Sequence, residues 1–458
     1  IHSHLAKQPI PLKTKTPSIP APLSDIIMIL LAKNAGDRYQ SAFGLKADLI
    51  ECQRQWQASG VIQEFPLGQR DVSDRFQVSQ ILFGRDEEPK LLLSAFERVR
   101  HGSAEVVLIS GEAGMGKTSL VNELQIPIAR QNGIFISGAY AHSLNPAPYS
   151  GLVDALRSLI RQLLSESEES LNVSRQKINE AIGLNGQVIV NLIPEAGRVL
   201  GPQPPLQPLS LEEEQNRFNL TLQNFLESFL NPERPLVLFF DDIHWADGAS
   251  ASFLRRFAAS PNLHHIMIIA SARSDAIDSE HPLHGLLQKF IEEGNTVTRL
   301  DLKPLLVDEV NRLLAQSLHC PLDESLALAG IIHAKTGGNP FFINEFLRGS
   351  HNDDLIRFDM ERGVWVWDTH SIQARQMTDN LLGIMTEKID ELPDDTRRML
   401  EFAACVGYEF DLSTLAALSH HTQPATASAL RHSLHFGVIV PLTQNYLFAE
   451  QAETETEV

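Results

Sequence analysis

The stretch "EVVLISGEAGMGKTSLVNEL", residues 105–124, leaves this chain few folds to choose from. Its apolar run reads as a strand buried on both faces, and the spacing after Gly116 reads as a helix, with a glycine-rich turn between them. A strand buried on both faces needs a sheet covered by helices above and below, which is the arrangement of parallel α/β domains. The pattern recurs. "GIFISGAY", "PLVLFF", "IMIIASAR" and "TVTRLDL" supply further strands, alternating with helical stretches such as "FGRDEEPKLLLSAFERV" and "LVDALRSLIRQLL".

The turn itself, "GEAGMGKT" from Gly111 to Thr118, matches the P-loop pattern. Gly111, Gly114 and Gly116 let successive backbone N–H groups face a phosphate, Lys117 can reach the outer phosphates, and Thr118 can place its hydroxyl on Mg²⁺. Ser119 lies beside them at the start of a helix whose dipole favours anions. The plain alternative is a glycine-rich turn with no ligand. A second acidic element, "PLVLFFDDIHWADGAS", ends a buried strand in two carboxylates: Asp241 suits a Mg²⁺ ligand, and Asp242 suits orienting or activating water. Taken alone, two aspartates after a strand are often only a turn. Arg273 follows a third strand, where it either senses the terminal phosphate or is a solvated loop arginine.

Taken in order, "ILFGRDEEPKLLLSAF", "GEAGMGKTSLVNEL", "LVLFFDDIHWADGAS", "IIASARSD" and "TGGNPFFINEFL" resemble the motifs of the STAND class of signalling P-loop ATPases, within the wider AAA-related group. The resemblance implies an α/β fold with a P-loop NTPase parallel sheet over residues 81–303, a helical lid with a hairpin over 304–375, and a winged-helix-like domain over 376–458. ATP and Mg²⁺ would be the cofactors. Asn339 and Pro340 would meet the nucleotide from the lid, and Arg85 would lie near its base or ribose. Hydrolysis is expected to be slow, because a switch needs its bound state to last. ATP or ADP, other signalling domains or proteins, and a nucleotide-dependent oligomer are the partners this implies.

Residues 1–58 resemble the last helices of a Ser/Thr protein kinase C-lobe, carried by "LLAKNAGDRYQSAFGLKADL". Arg38 would there pair with the glutamate of an Ala-Pro-Glu motif, which this chain lacks, as it lacks the kinase glycine loop and catalytic loop. Residues 59–80 read as a polar linker. The order kinase tail, linker and ATPase is similar to that of large cyanobacterial-type sensor kinases, which continue into GAF and histidine-kinase domains. On that comparison the chain is an interior slice or a truncated relative.

Composition narrows the alternatives. A formal charge of −19 opposes a generic nucleic-acid or anionic-membrane surface, which needs basic patches. Three scattered cysteines, Cys52, Cys320 and Cys405, suit a reducing cytoplasm and no structural zinc. The longest apolar runs fall far short of the ~20 residues that cross a bilayer. Other readings are local. Residues 1–22 suggest an extended, PPII-like lead-in, "SAFGLKADLIECQRQW" a helix capped by Ser41, "SESEES" a solvated loop, "IRFDMERGVWVWD" a hairpin, and "VIVPL" a strand. Trp245 and the His264-His265 and His420-His421 pairs read as packing or surface residues. Two rival functions stay open: a scaffold whose P-loop holds nothing, and a winged-helix DNA-binding regulator, for which "ATASALRHSLHFG" offers only Arg431, His432 and His435.

Overall fold

The computed structural model describes residues 11–32, 37–79, 81–140, 147–274, 282–375, 386, 389–390, 392–407, 410–435, 438–439 and 441. Its centre is a five-stranded, wholly parallel sheet of β1 (Ala104–Ser110), β2 (Ile134–Ala139), β3 (Leu236–Asp241), β4 (Ile266–Ala272) and β5 (Thr296–Asp301), in the order β2-β3-β4-β1-β5. The expected α/β sheet is therefore present. Side-chain alternation along each strand divides the interior in two. Val106, Leu108, Leu238, Phe240 and Ile268 face one core, while Val107, Ile109, Phe239, Met267 and Ile269 face the other. The first core also takes the helices Ser150–Leu164, Leu211–Glu227 and Gly248–Ala258; the second takes Glu88–Arg100 and the helix after the P-loop.

Three local readings need correction. Residues 12–15 of the lead-in form a helical turn rather than an extended segment, and Ala21–Leu30 is a helix with a proline at its start, where a missing N–H costs nothing. The "SESEES" run is not merely a loop. Ser167 caps the helix Glu168–Ile182 by accepting from Ser170 N, and Glu168 and Glu169 sit in a first turn whose dipole favours negative charge. Helices Gly186–Leu192, Ala196–Leu200 and Leu211–Glu227 complete the run of helices described between β2 and β3, which the strand alternation did not announce. The helix expected from Gly116 is short, Lys117–Asn122, and a second begins at Gln125. Pro127 lacks the N–H that would bond to Glu123 O, and its ring crowds that carbonyl.

Ser41 caps the helix Ala42–Ser59 as expected, accepting from Gly44 N at 3.0 Å. The segment called a linker does more than connect. Its Asp71 carboxylate accepts from Gln40 N (2.7 Å) and from Ser41 N and Oγ (both 2.9 Å), tying it to the N-terminal helices. Further along, Ser79 N donates to Ser317 Oγ at 3.0 Å, and Phe76 stacks on His351 with ring centres 4.7 Å apart. Trp365, buried in the expected hairpin of β6 (Ile356–Asp359) and β7 (Val364–Trp367), donates from Nε1 to Ser73 O at 3.1 Å. Buried polar groups that find partners this way lend the strap a definite path despite its lack of regular structure.

The segment expected to form a lid consists of the helices Val307–Leu318, Leu322–Thr336 and Pro340–Asn352, followed by the hairpin and the short helix Thr369–Ala374. A separate compact unit is built mainly from residues 376–458. Its described helices, Asp394–Val406, Leu412–Ser419 and Gln423–His435, pack around Met399, Ala403, Leu415 and Leu430. Val438 and Ile439 form a bend, and the remainder of the expected strand, apart from Pro441, lies outside the described residues, as does most of the helix expected from Asn380. Among the described residues no helix is long and apolar enough to cross a membrane.

Candidate functional site

The C-terminal ends of β1, β3 and β4 bring most of the sequence-predicted residues to one cleft of about 400 Å³. Ligands of parallel sheets bind at this end, because the loops that leave the strands there meet the N-termini of the following helices. Gly114, Gly116, Lys117, Thr118, Ser119, Asp242, Arg273 and Pro340 all line the cleft, joined by Ala113, His244, Trp245, Phe341 and Asn344. Thus residues from the sheet domain and from the start of the lid share one cavity.

Strand order explains the central contact. β4 lies between β1 and β3, yet Thr118, at the first helical turn after β1, donates from Oγ1 to Asp241 Oδ2 at 2.6 Å. The other carboxylate oxygen of Asp241 accepts from Ser271 Oγ on β4. Asp242 then leaves the strand in the left-handed region, φ 49° and ψ 44°, a conformation that an aspartate tolerates better than most residues. Its N–H donates to Ser271 Oγ at 2.9 Å. Burial pushes the Asp242 carboxyl above the usual aspartate range, the charge of Asp241 pushes it further, and Lys117 and Arg273 pull it back.

Lys117 is buried, and its Nζ donates to Gly111 O at 2.9 Å and Glu112 O at 3.0 Å, which holds the ammonium beneath the loop. The cradle has space where phosphate would need it: a Cβ on Gly116 would meet nothing within 4 Å. Gly114 is the reverse case. With φ at 83°, its Cβ position lies 2.7 Å from both Asn339 Oδ1 and Phe341 Cβ, so only glycine lets the lid come this close. Asn344 lines the cleft and has a buried Oδ1 with no donor among the described residues, leaving an acceptor open. Also among the described residues, no three His, Cys, Asp or Glu side chains converge, so a cation here would be shared with phosphate oxygens, as is usual for Mg²⁺. Backbone donors, lysine, hydroxyl and carboxylate together fit a nucleotide polyphosphate with Mg²⁺.

Gly111, Asp241, Asn339 and Arg85 are not among the lining residues; Gly111 and Asp241 meet the lining through Lys117 and Thr118. Asn339 caps the helix Pro340–Asn352 by accepting from Phe341 N at 3.0 Å, and donates from Nδ2 to Ala113 O at 2.8 Å. It therefore grips the P-loop backbone. Arg85 is buried, bonded to Lys303 O and 3.6 Å from Glu88, where it secures the connection from β5 to the lid. Sequence reading passed over Ser271, His244, Phe341 and Asn344, and treated Trp245 as packing although it is 39% exposed in the cleft. Ser271 had one visible signal, a hydroxyl inside the apolar run "IMIIASA".

A family match accords with the P-loop reading of this cleft. Residues 81–269 match the AAA ATPase domain family, and this part of the chain is an AAA-type ATPase domain. Over 91% of its length the chain is 30% identical to hybrid signal transduction histidine kinase G of Dictyostelium discoideum. Over 94% it is 21% identical to peroxide stress-activated histidine kinase mak3 of Schizosaccharomyces pombe. It spans 14% and 22% of the lengths of these two relatives. Among solved structures, the Aeropyrum pernix ORC1 protein in complex with DNA is similar with a TM-score of 0.35 at 12% identity, over 79% of this chain and 85% of that one. A mutant RuvB of Thermotoga maritima gives 0.31 at 16%, over 81% and 94%.

Proposed function

We propose that the chain is a STAND-type signalling module that binds ATP with Mg²⁺, hydrolyses it slowly, and works as a nucleotide-dependent switch inside a longer sensor kinase. The observation that carries this reading is the grip of the lid on the P-loop: Asn339 Nδ2 on Ala113 O, and Phe341 N on Gly114 O at 3.2 Å. A loop that holds phosphate and is also held by the lid couples ligand to lid position.

Each side chain then has a physical task. Lys117 offers a charge-assisted donor to phosphate oxygens, and Thr118 with Asp241 presents the oxygens that would hold the cation. Bound Mg²⁺ would neutralise phosphate charge. Asp242, kept in its left-handed turn and partly desolvated, would orient water, and Arg273 offers positive charge on the same cleft. Pro340 and Phe341 close the cleft from the lid side. Signalling is supported by the two relatives, both histidine kinases.

The proposal extends to the flanks. Residues 1–58 are read as the end of a Ser/Thr kinase C-lobe on the strength of "DRYQSAFGLKADL", and residues 376–458 as a winged-helix-like domain on the strength of three short helices around one core. The test is binding of a fluorescent ATP analogue with and without Mg²⁺, paired with limited proteolysis near exposed Pro304 in ATP and in ADP. Binding together with different cleavage patterns supports the switch. Identical patterns would leave a static scaffold as the better account.

A further inference from the structure

The Ser271 side chain touches both Asp241 and Asp242. Its residue is fully buried in β4, a strand otherwise made only of Ile, Met and Ala. Parallel pairing of β3 with β4 sets Phe240 beside Ala270, so the next residue on each strand, Asp241 and Ser271, come together where the strands end. The hydroxyl donates to Asp241 Oδ1 and accepts from Asp242 N, while Thr118 Oγ1 occupies Asp241 Oδ2. A hydroxyl buried in an apolar strand costs free energy unless bonded, and here both its donor and its acceptor capacity are used on the same two residues. Nothing about packing an apolar β4 requires it, since alanine would fill most of the volume.

We propose that Ser271 is a positioning residue for the divalent cation: it fixes the plane of the Asp241 carboxylate and anchors the left-handed turn at Asp242, so that the cation meets a carboxylate already aimed. The inference rests on the nucleotide and Mg²⁺ reading above. Partners outside the direct ligands commonly control metal affinity by orienting those ligands, and their loss typically costs about tenfold to a hundredfold. Without the hydroxyl, Asp241 keeps the Thr118 donor and the longer 3.2 Å contact from Asp242 N, so its carboxylate is held less firmly, and the Asp242 N–H loses the nearer of its two acceptors, at 2.9 Å.

The experiment uses the whole chain and two near-isosteric variants, Ser271→Ala and Ser271→Cys, each checked for folding by its thermal melt. A fluorescent ATP analogue is titrated in Mg²⁺ and in excess chelator. The ratio of the two affinities should fall by about tenfold to a hundredfold in both variants. A structural role alone would lower both affinities together and leave their ratio in place. A folded variant with the wild-type ratio overturns the assignment, and Ser271→Cys decides if Ser271→Ala does not fold. Should the wild type show no Mg²⁺-dependent affinity at all, the proposed function fails first, and this inference with it.

Discussion

Asn339 Nδ2 lies 2.8 Å from Ala113 O, joining the first residue before a lid helix to the middle of the P-loop across 226 positions of sequence. Because Asn339 also caps its own helix, the lid helix and the P-loop backbone are oriented by one side chain. A shift of the loop on ligand binding must therefore be accommodated either by this amide or by the lid as a whole.

Gly114→Ala tests that coupling from the loop side. A methyl placed 2.7 Å from Asn339 Oδ1 and Phe341 Cβ must push the lid away, and the left-handed backbone at φ 83° adds strain of roughly 1–2 kcal/mol. Expected is faster cleavage near Pro304 that nucleotide no longer slows. Unchanged protection by nucleotide would show that the contact does not govern the lid.

Lys117→Ala removes a charge-assisted phosphate contact worth about 1.5–3 kcal/mol, or roughly tenfold to a hundredfold in affinity. Fluorescent ATP-analogue titration measures it. Equal affinities in variant and wild type would count against nucleotide binding at this loop.

Asp242→Asn separates binding from turnover. Affinity for ATP should survive while phosphate release falls, since the amide keeps the shape and loses the carboxylate proposed to position water. Stability supplies an independent readout. A folded-state pKa raised above the usual aspartate value means that this group's contribution to stability is complete at low pH and lost as pH rises through the raised value. The nucleotide-free variant should therefore melt above wild type at neutral pH, with the difference closing as pH falls below the ordinary aspartate range. A gap that stays constant with pH would exclude carboxylate burial as its cause.

Phe76→Ala tests the strap. The ring is held between His351 and Trp365, at 4.7 and 5.4 Å between centres. Its loss should open residues 59–80 to protease and lower stability by about 1–3 kcal/mol, the range for a partly buried aromatic. Denaturant melts and cleavage mapping report the two effects. Protection equal to wild type would mean that the Asp71, Ser79 and Trp365 contacts hold the segment without the ring.

Much of this was written in local residue order. A strand ending in glycines, a lysine and a threonine, and an apolar strand ending in two aspartates, declare themselves because strand burial, turn geometry and phosphate chemistry each demand particular residue types at short spacing. Ser41 as a helix cap and the hairpin around Gly363 belong to the same class. The flexible-looking strap, the helical insertion after Ser167 and the short break at Pro127 were less visible, since polar residues serve loops, caps and helix surfaces alike. Tertiary structure alone decided the pairings across strands. No spacing in the sequence states that β4 lies between β1 and β3, and that order is what brings Ser271 onto Asp241 and Thr118 onto the same carboxylate. It also moved Arg85 to the β5–lid connection and Asn339 onto the P-loop backbone, because a buried guanidinium and a buried amide take whichever carbonyls the packed chain leaves within reach.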